Sequence, residues 1–221
     1  MPKILVFASG TKDGGGSGFQ NLVEWSRANP NTFEVVGVVS NNENGGVRQK
    51  ADTLGVPFTH FAGPYDADQY QAIVQKSGAE WCALSGWLRM VKGLDPKKTF
   101  NIHPGLLSVS NGRFGGEGMW GNHVLDAVYD ALQSGELSEF GISMHFVTDE
   151  YDRGPVFFEY KIPYQKGISK ETVAELVHTA EHEFQPKITS MVVNGMISWD
   201  GKDPTSVVVP AGYQFLPRGG I

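Results

Sequence analysis

The sequence of 221 residues is poor in three features that would each indicate a class of protein: cysteines, runs of basic residues and long apolar stretches. The single cysteine, Cys82, cannot form an internal disulfide, and its apolar surroundings indicate a buried packing residue. The formal net charge is -6 without any cluster of Lys or Arg, which argues against nucleic acid as a partner. No apolar run is long enough to span a bilayer, and the short apolar start does not have the pattern of a signal peptide. We therefore expect a cytoplasmic protein without a membrane partner.

Apolar runs that alternate with helix-like segments indicate an α/β protein. Continuous apolar stretches, typical of strands buried on both faces, lie at 3–8, 33–40, 56–61 and 81–84. Helical segments separate these stretches, and strands connected in this way form parallel sheets through right-handed crossovers. We predict a Rossmann-like, mostly parallel twisted sheet with helices on both faces. Alternating segments near 141–148 and 156–162 add an antiparallel extension toward the C-terminus.

The C-terminal part should contain two helices and a tail. Ser169 has the position of an N-cap, so a long helix should run from there toward Pro186, and another should begin with Lys187. Residues 200–221 are rich in Gly, Pro and polar residues, which is consistent with an irregular tail that wraps the domain or with a partner-binding strand. We predict one domain over residues 1–199, with two halves that meet near residue 100, followed by this tail.

The stretch Asn101-Ile102-His103-Pro104 places two polar side chains at the end of a short apolar strand. Period-two alternation puts Asn101 and His103 on one face and buries Ile102 on the other. Pro104 cannot donate to a sheet ladder, so the strand should end there, where α/β sheets bind ligands. An amide beside an imidazole can polarise a carbonyl oxygen and move protons. The pair alone is equally consistent with a strand-end histidine satisfied by a backbone group.

The first predicted strand is followed by a glycine-rich loop, residues 9–18, and then by a helix. A strand–loop–helix unit can hold a phosphate with backbone N–H groups and the helix dipole. The loop matches neither the Walker pattern nor a clean G-x-G-x-x-G, so a flexible surface loop is the alternative.

A second segment, residues 141–156, contains Asp149-Glu150-Tyr151-Asp152-Arg153-Gly154-Pro155 after an alternating strand. Taken with Asn101-Ile102-His103-Pro104, it resembles the folate-dependent formyltransferases, and the resemblance covers roughly residues 3–199. In that family the Asn and His of the first motif and the second Asp of the other form the catalytic centre. The resemblance therefore implies Asn101, His103 and Asp152 as catalytic residues and the formyltransferase fold.

The resemblance also implies binding residues. The first loop and the C-terminal helix should bind a ribonucleotide substrate, through Gly10, Thr11, Gly16, Ser17 and Glu181. Two loops should line a folate pocket, through Trp87, Leu88, Arg89, Met90, Val91, Val147 and Asp149. His123 matches a second family histidine and is expected to contact a substrate.

The chain departs from the family pattern after the first motif. Gly105 and Ser108 replace the usual serine and proline, and the following loop is longer, with three glycines between Gly115 and Gly118. Such a loop indicates a mobile lid or a close approach of the backbone to a ligand.

The implied reaction transfers a formyl group from 10-formyltetrahydrofolate to the amine of glycinamide ribonucleotide in purine biosynthesis, without a metal. Formyl transfer to an amino-sugar nucleotide, or to water by a formyltetrahydrofolate hydrolase, are the alternatives within the family. A nucleotide-binding sensor without catalysis is the alternative outside enzymes. The expected partners are the small-molecule substrates, and we expect a monomer or homodimer.

The implied mechanism assigns a role to each catalytic residue. Asn101 and a protonated His103 are expected to stabilise the oxyanion, while Asp152 orients His103 and raises its pKa. A metal set of His103, His145 and Asp152 is the alternative, although it would leave the Asn–His pair unexplained.

Overall fold

The structure, a computed structural model, describes residues 1–217 and contains a seven-stranded sheet in the order β3-β2-β1-β4-β5-β6-β7. The strands are β1 (Lys3–Phe7), β2 (Glu34–Ser40), β3 (Phe58–His60), β4 (Trp81–Ser85), β5 (Thr99–His103), β6 (Glu139–Phe146) and β7 (Val156–Pro163). The strands from β1 to β5 pair in parallel, whereas β6 pairs antiparallel with both β5 and β7. The predicted mostly parallel sheet with an antiparallel extension is confirmed.

The two parts of the sheet differ in what their side chains contact. In β1 the residues from Ile4 to Phe7 are all buried, because apolar cores cover both faces of this central strand. In β6 the side chains alternate: Ile142 and Met144 pack into the larger core, whereas Ser143 and His145 are buried on the other face among polar partners. This second face of β6 carries the candidate site.

Five α-helices cover the sheet: α1 (Ser17–Ala28), α2 (Gly46–Leu54), α3 (Ala67–Ser77), α4 (Asn122–Ser134) and α5 (Lys170–Val193). Buried residues of α1, α2, α4 and α5 belong to the larger core, and Tyr70 of α3 belongs to a smaller core on the other face with Leu5 and Phe7. The smaller core contains no residue of β5, β6 or β7. The loops that follow β4, β5 and β6 meet beside it, around a small cavity at the end of β5. Within residues 1–217, no helix combines the length and apolar character needed to cross a bilayer.

The predicted helix break at Pro186 is wrong, since α5 is one helix from Lys170 to Val193. A proline inside a helix has no N–H for the carbonyl four residues earlier, which here belongs to His182. Asn21 on α1 donates its side-chain N–H to this carbonyl at 2.7 Å. Packing of α1 against α5 therefore supplies the hydrogen bond that Pro186 cannot make, and the helix continues.

The C-terminal segment packs on the domain as far as residue 217. Ser198 and Val208 form an isolated antiparallel bridge, and the carbonyl of Phe215 accepts a hydrogen bond from the backbone N–H of Glu159 in β7. Side chains of Val207, Val209, Tyr213 and Phe215 pack against the larger core. These contacts match the tail that wraps the domain. Residues 218–221 lie outside the described part of the chain, and the boundary at residue 199 stays a prediction.

Candidate active site

The three residues predicted to be catalytic meet at the end of β5. Asn101 and His103 lie on the same face of this strand, which ends at His103. Asp152 comes from the turn after β6, where its backbone adopts a left-handed conformation with φ 51. Its carboxylate lies 3.4 Å from Asn101 Nδ2 through Oδ1 and 3.7 Å from His103 Nδ1 through Oδ2. The turn therefore folds back over the strand and brings an acid to both polar groups.

His145 is a fourth member of this cluster that sequence reasoning considered only as a metal ligand. It lies opposite Asn101 in the antiparallel pairing of β5 and β6, and its Nε2 is 3.1 Å from Asn101 Nδ2 and 3.2 Å from Asp152 Oδ1. Its Nδ1 donates to the carbonyl of Phe146 at 2.8 Å. The available signal was the period-two alternation of β6, which places His145 on the same face as Ser143.

The alternative of a metal site gains no support from the arrangement of side chains. Among residues 1–217, no group of three His, Cys, Asp or Glu side chains is placed to hold a metal ion. The cluster around Asp152 is instead a set of hydrogen-bonded polar groups.

The glycine-rich loop after β5 packs directly on this cluster. The backbone carbonyl of Phe114 accepts a hydrogen bond from His103 Nε2 at 2.5 Å, and the N–H of Gly116 donates to Asp152 Oδ2 at 3.0 Å. A side chain at Gly115 would place its Cβ 3.0 Å from the Cβ of Asp152 and 2.3 Å from Leu107 Cδ2. The backbone of this loop therefore lies close to Asp152 and His103, whereas the two predicted explanations, a mobile lid and a close approach to a ligand, both stay predictions.

Burial decides the protonation of His103, which is 3% exposed. Loss of solvent lowers the pKa of its imidazole, and this effect outweighs the raising influence of Asp152. The predicted raising influence of Asp152 is therefore present, but burial is the larger effect and favours the neutral ring, and the protonated state assigned to His103 in the reaction stays a prediction. The proton of the neutral ring must be on Nε2, because its partner, the Phe114 carbonyl, only accepts. The lone pair is consequently on Nδ1, the nitrogen nearer to Asp152.

Asp152 stays ionised although it is mostly buried. Burial by itself would raise the pKa of its carboxyl, but the contacts of His145 and His103 and the N–H of Gly116 together hold this pKa well below its ordinary range. The cluster therefore combines a fixed negative charge with a neutral imidazole.

The glycine-rich loop between β1 and α1 forms one wall of a cavity of about 310 Å³. All five residues predicted to bind the ribonucleotide line it: Gly10, Thr11, Gly16, Ser17 and Glu181. Gly16 precedes the first turn of α1 in a left-handed conformation with φ 75, and a Cβ on Gly15 would lie 2.4 Å from Gly10 Cα. The loop is thus a compact turn that requires glycine at position 15, and it lies between the N-terminal end of α1 and the cavity.

Glu181, His178 and His182 of α5 lie in or beside the wall of this cavity. Burial raises the pKa of Glu181 to about 7. His178 lies 3.2 Å from Ser17 Oγ through its Nε2, and its ring is 4.1 Å from that of His182, which also lines the cavity. Sequence reasoning did not include either histidine, although their spacing of four residues on α5 places both on one face with Glu181 close by.

The residues predicted to bind folate divide between three places. Val91, Val147 and Asp149 line a second cavity of about 310 Å³. Trp87 and Leu88 line a small cavity of about 80 Å³ that also contains Asn101, His103 and Asp152. Trp87 is buried at 8% exposure and donates its indole N–H to Tyr70 at 3.0 Å, so it is also part of the smaller core.

The remaining predicted contacts lie outside these cavity linings. The guanidinium of Arg89 lies over the ring of Tyr65 at 5.2 Å, and the Met90 carbonyl accepts a hydrogen bond from Tyr70. His123 is exposed in the first turn of α4, where its Nδ1 donates to the Gly118 carbonyl at 3.1 Å.

Comparison with known proteins finds a matching family model and several similar proteins. The family model described as formyl transferase matches residues 2–189. The chloroplastic phosphoribosylglycinamide formyltransferase of Arabidopsis thaliana is 29% identical over 208 residues, which are 89% of this chain and 67% of that protein. The Escherichia coli phosphoribosylglycinamide formyltransferase is 28% identical over 204 residues, 88% of each chain. A trifunctional purine biosynthetic protein of Gallus gallus is 28% identical, and the match spans only 19% of its length.

Comparison with solved structures also finds glycinamide ribonucleotide transformylases. The crystal structure of glycinamide ribonucleotide transformylase 1 from Symbiobacterium toebii superposes with a TM-score of 0.76 and 25% identity, over 95% of this chain and 94% of that one. The corresponding protein from Geobacillus kaustophilus has a TM-score of 0.73 and 26% identity, over 87% of this chain and 99% of that one.

Proposed function

This chain belongs to the formyl transferase family, and we propose that it transfers the formyl group of 10-formyltetrahydrofolate to the amine of glycinamide ribonucleotide, a step of purine biosynthesis. The observation that carries the proposal is the cluster of Asn101, His103 and Asp152 at the end of β5. Near it lie the two cavities of about 310 Å³, one built on the glycine-rich loop and one on the loops after β4 and β6. The names of the relatives and structures above support this acceptor.

The first cavity suits the ribonucleotide. Backbone N–H groups around Gly16 and the N-terminal end of α1 favour a phosphate, because their partial positive charge is directed at the ligand. Glu181, on the wall formed by α5, is then the partner for hydroxyl groups of the ribose. Pro104 and Ile102 also line this cavity, so the far end of the nucleotide reaches the catalytic cluster.

The second cavity suits the folate. Its lining by Val91, Leu94 and Val147 offers an apolar slot, and Asp149 adds a carboxylate at the rim. Thr99 lines this cavity, and Asn101 lies two residues further along the same face of β5, about 6.6 Å away at the usual rise of a strand. The formyl-bearing nitrogen, one methylene from the bicyclic ring, can therefore reach the catalytic amide.

The proposed reaction begins when the amine attacks the formyl carbon and the carbonyl oxygen becomes an oxyanion. The side-chain N–H of Asn101 stabilises this oxyanion, a contribution of about 3 kcal/mol for one well-placed donor. In the free protein the two N–H groups of Asn101 lie 3.1 Å from His145 Nε2 and 3.4 Å from Asp152 Oδ1, so donation to the oxyanion replaces the longer contact, with Asp152.

Proton transfer falls to His103. Its neutral ring has a lone pair on Nδ1 that can accept a proton from the attacking amine. The imidazolium that forms is stabilised by the carboxylate of Asp152, 3.7 Å from the same nitrogen. The imidazolium can then return the proton to the folate nitrogen as the bond to the formyl carbon breaks.

A formyl-transfer assay tests the proposal. Purified protein is mixed with 10-formyltetrahydrofolate and either glycinamide ribonucleotide or no acceptor, and the deformylated folate is followed by absorbance, with His103→Ala as a control. We expect turnover that requires the ribonucleotide and is lost in His103→Ala. Release of formate without an acceptor would instead identify a hydrolase, and transfer only to an amino-sugar nucleotide would overturn the proposed acceptor.

A further inference from the structure

The cavity proposed for the folate has a wall that lies beyond the family match. The match ends at residue 189, whereas Trp199 and Gly201 line the cavity together with Val91, Val147 and Asp149. We propose that the segment 199–203 is a wall of the folate site, in which Trp199 supplies an aromatic surface for the bicyclic ring. This inference rests on the proposed function, because the ligand of the cavity is taken to be the folate.

The segment is held in place by its own hydrogen bonds. The indole N–H of Trp199 donates to the carbonyl of Asp203 at 2.7 Å, and the carboxylate of Asp200 accepts from the backbone N–H groups of Lys202 and Asp203 at 2.8 and 2.9 Å. The bridge between Ser198 and Val208 closes the loop at its base. A wall that is already ordered binds a ligand without the entropic cost of fixing a mobile chain.

The segment also fits closely against the loop that precedes β5. Gly201 has a φ of 84, and a Cβ there would lie 2.7 Å from Lys97 Cγ. Pro96 and Gly93 of this loop line the same cavity. The C-terminal segment and the loop before β5 are therefore packed together and bound one cavity from two sides.

The position of Trp199 explains what it offers a ligand. The residue is 7% exposed, and its ring centroid lies 5.6 Å from that of Phe146, so the core fixes its orientation. The only polar atom of its side chain is already bonded to the carbonyl of Asp203, which leaves an apolar aromatic surface for the cavity. Aromatic rings gain about 0.5–1.5 kcal/mol from contact with another ring beyond the burial of area. A flat bicyclic ring with polar edges matches this surface and the aliphatic side chains opposite.

Binding of tetrahydrofolate, measured by titration calorimetry, tests the wall apart from catalysis. Trp199→Ala should raise the Kd about tenfold, and Trp199→Phe, which keeps the packing on Phe146, should raise it about threefold. The KM for the ribonucleotide should change less than twofold in both variants, because Trp199 does not line the other cavity. Phe215→Leu is the matched control: this tail residue packs on Phe158 and Phe184, so its substitution should leave the folate Kd unchanged.

The outcomes separate the two proposals. If the wild type binds tetrahydrofolate and both Trp199 variants bind it equally well, the wall is refuted and the proposed function is not. If the wild type binds folate but transfers no formyl group to the ribonucleotide, the acceptor is refuted, and a weakened Trp199→Ala still supports the wall. If the wild type binds no folate, both proposals fail. Because Trp199→Phe retains the aromatic packing, it gives a result even where Trp199→Ala folds poorly.

Discussion

Replacement of Glu181 by glutamine should remove a pH dependence that this residue gives to folding. Glu181 lies in the wall of the ribonucleotide cavity on α5, and burial raises the pKa of its carboxyl from 4.5 to about 7. Burial is the cause of this shift, and no cation among residues 1–217 compensates it. Glutamine has nearly the same shape but cannot ionise, so the substitution isolates the cost of the charge.

The direction of the pKa shift determines how the contribution of Glu181 to stability changes with pH. Because the pKa is higher in the folded state, the folded protein binds the proton more tightly than the unfolded chain. The resulting stabilisation is fully present below pH 4.5 and is lost as the pH rises through about 7. The difference between the two pKa values corresponds to about 3 kcal/mol. Since Glu181 keeps part of its solvent contact, we expect about 1.5–2 kcal/mol.

Urea unfolding of the wild type and Glu181→Gln at pH 4.5 and pH 8 measures this effect. The free energy of unfolding of the variant, relative to the wild type, should rise by about 1.5–2 kcal/mol between the two pH values. Glu183→Gln is the control, because Glu183 is exposed on the same helix and pairs with Lys187, a pair worth less than about 0.5 kcal/mol. Parallel pH dependences for the wild type and Glu181→Gln would refute the reasoning.

Three other substitutions test the site and its support. Asp152→Asn should lower kcat by 10²–10⁴-fold while folate binding measured by calorimetry is retained; a loss of less than tenfold would contradict the assigned role. Gly15→Ala should raise the KM for the ribonucleotide severalfold, since its Cβ would meet Gly10 Cα at 2.4 Å; an unchanged KM would remove the loop from the phosphate site. Asn21→Ala should cost about 1–2 kcal/mol of unfolding free energy in urea, and less in a Pro186→Ala background, where the helix recovers its own N–H donor; equal losses in both backgrounds would refute the explanation.

Much of the site was predictable because it depends on local rules. Alternation along a strand places Asn101 and His103 on one face whatever the rest of the chain does, and Pro104 ends the strand there. The glycine-rich loop between β1 and α1 was recognisable from its composition, whereas the structure shows that it is a compact turn in which Gly15 approaches Gly10 and not the flexible surface loop left as the alternative. The Asp of the second motif was found through family resemblance, which carries information on distant contacts that periodicity does not.

The sequence by itself therefore determined the succession of strands and helices as far as α5 and the placement of Asn101 and His103 on one face of β5, because these depend on neighbours in the chain. Only the tertiary structure decided that His145 lies opposite Asn101, that Asn21 completes α5 at Pro186 and that Trp199 lines the cavity beside Val147. It also decided the burial that lowers the pKa of His103 and the position of the Phe114 carbonyl, which accepts a hydrogen bond from its Nε2. Each of these features depends on groups far apart in the chain, and burial and contact between such groups exist only once the chain has folded.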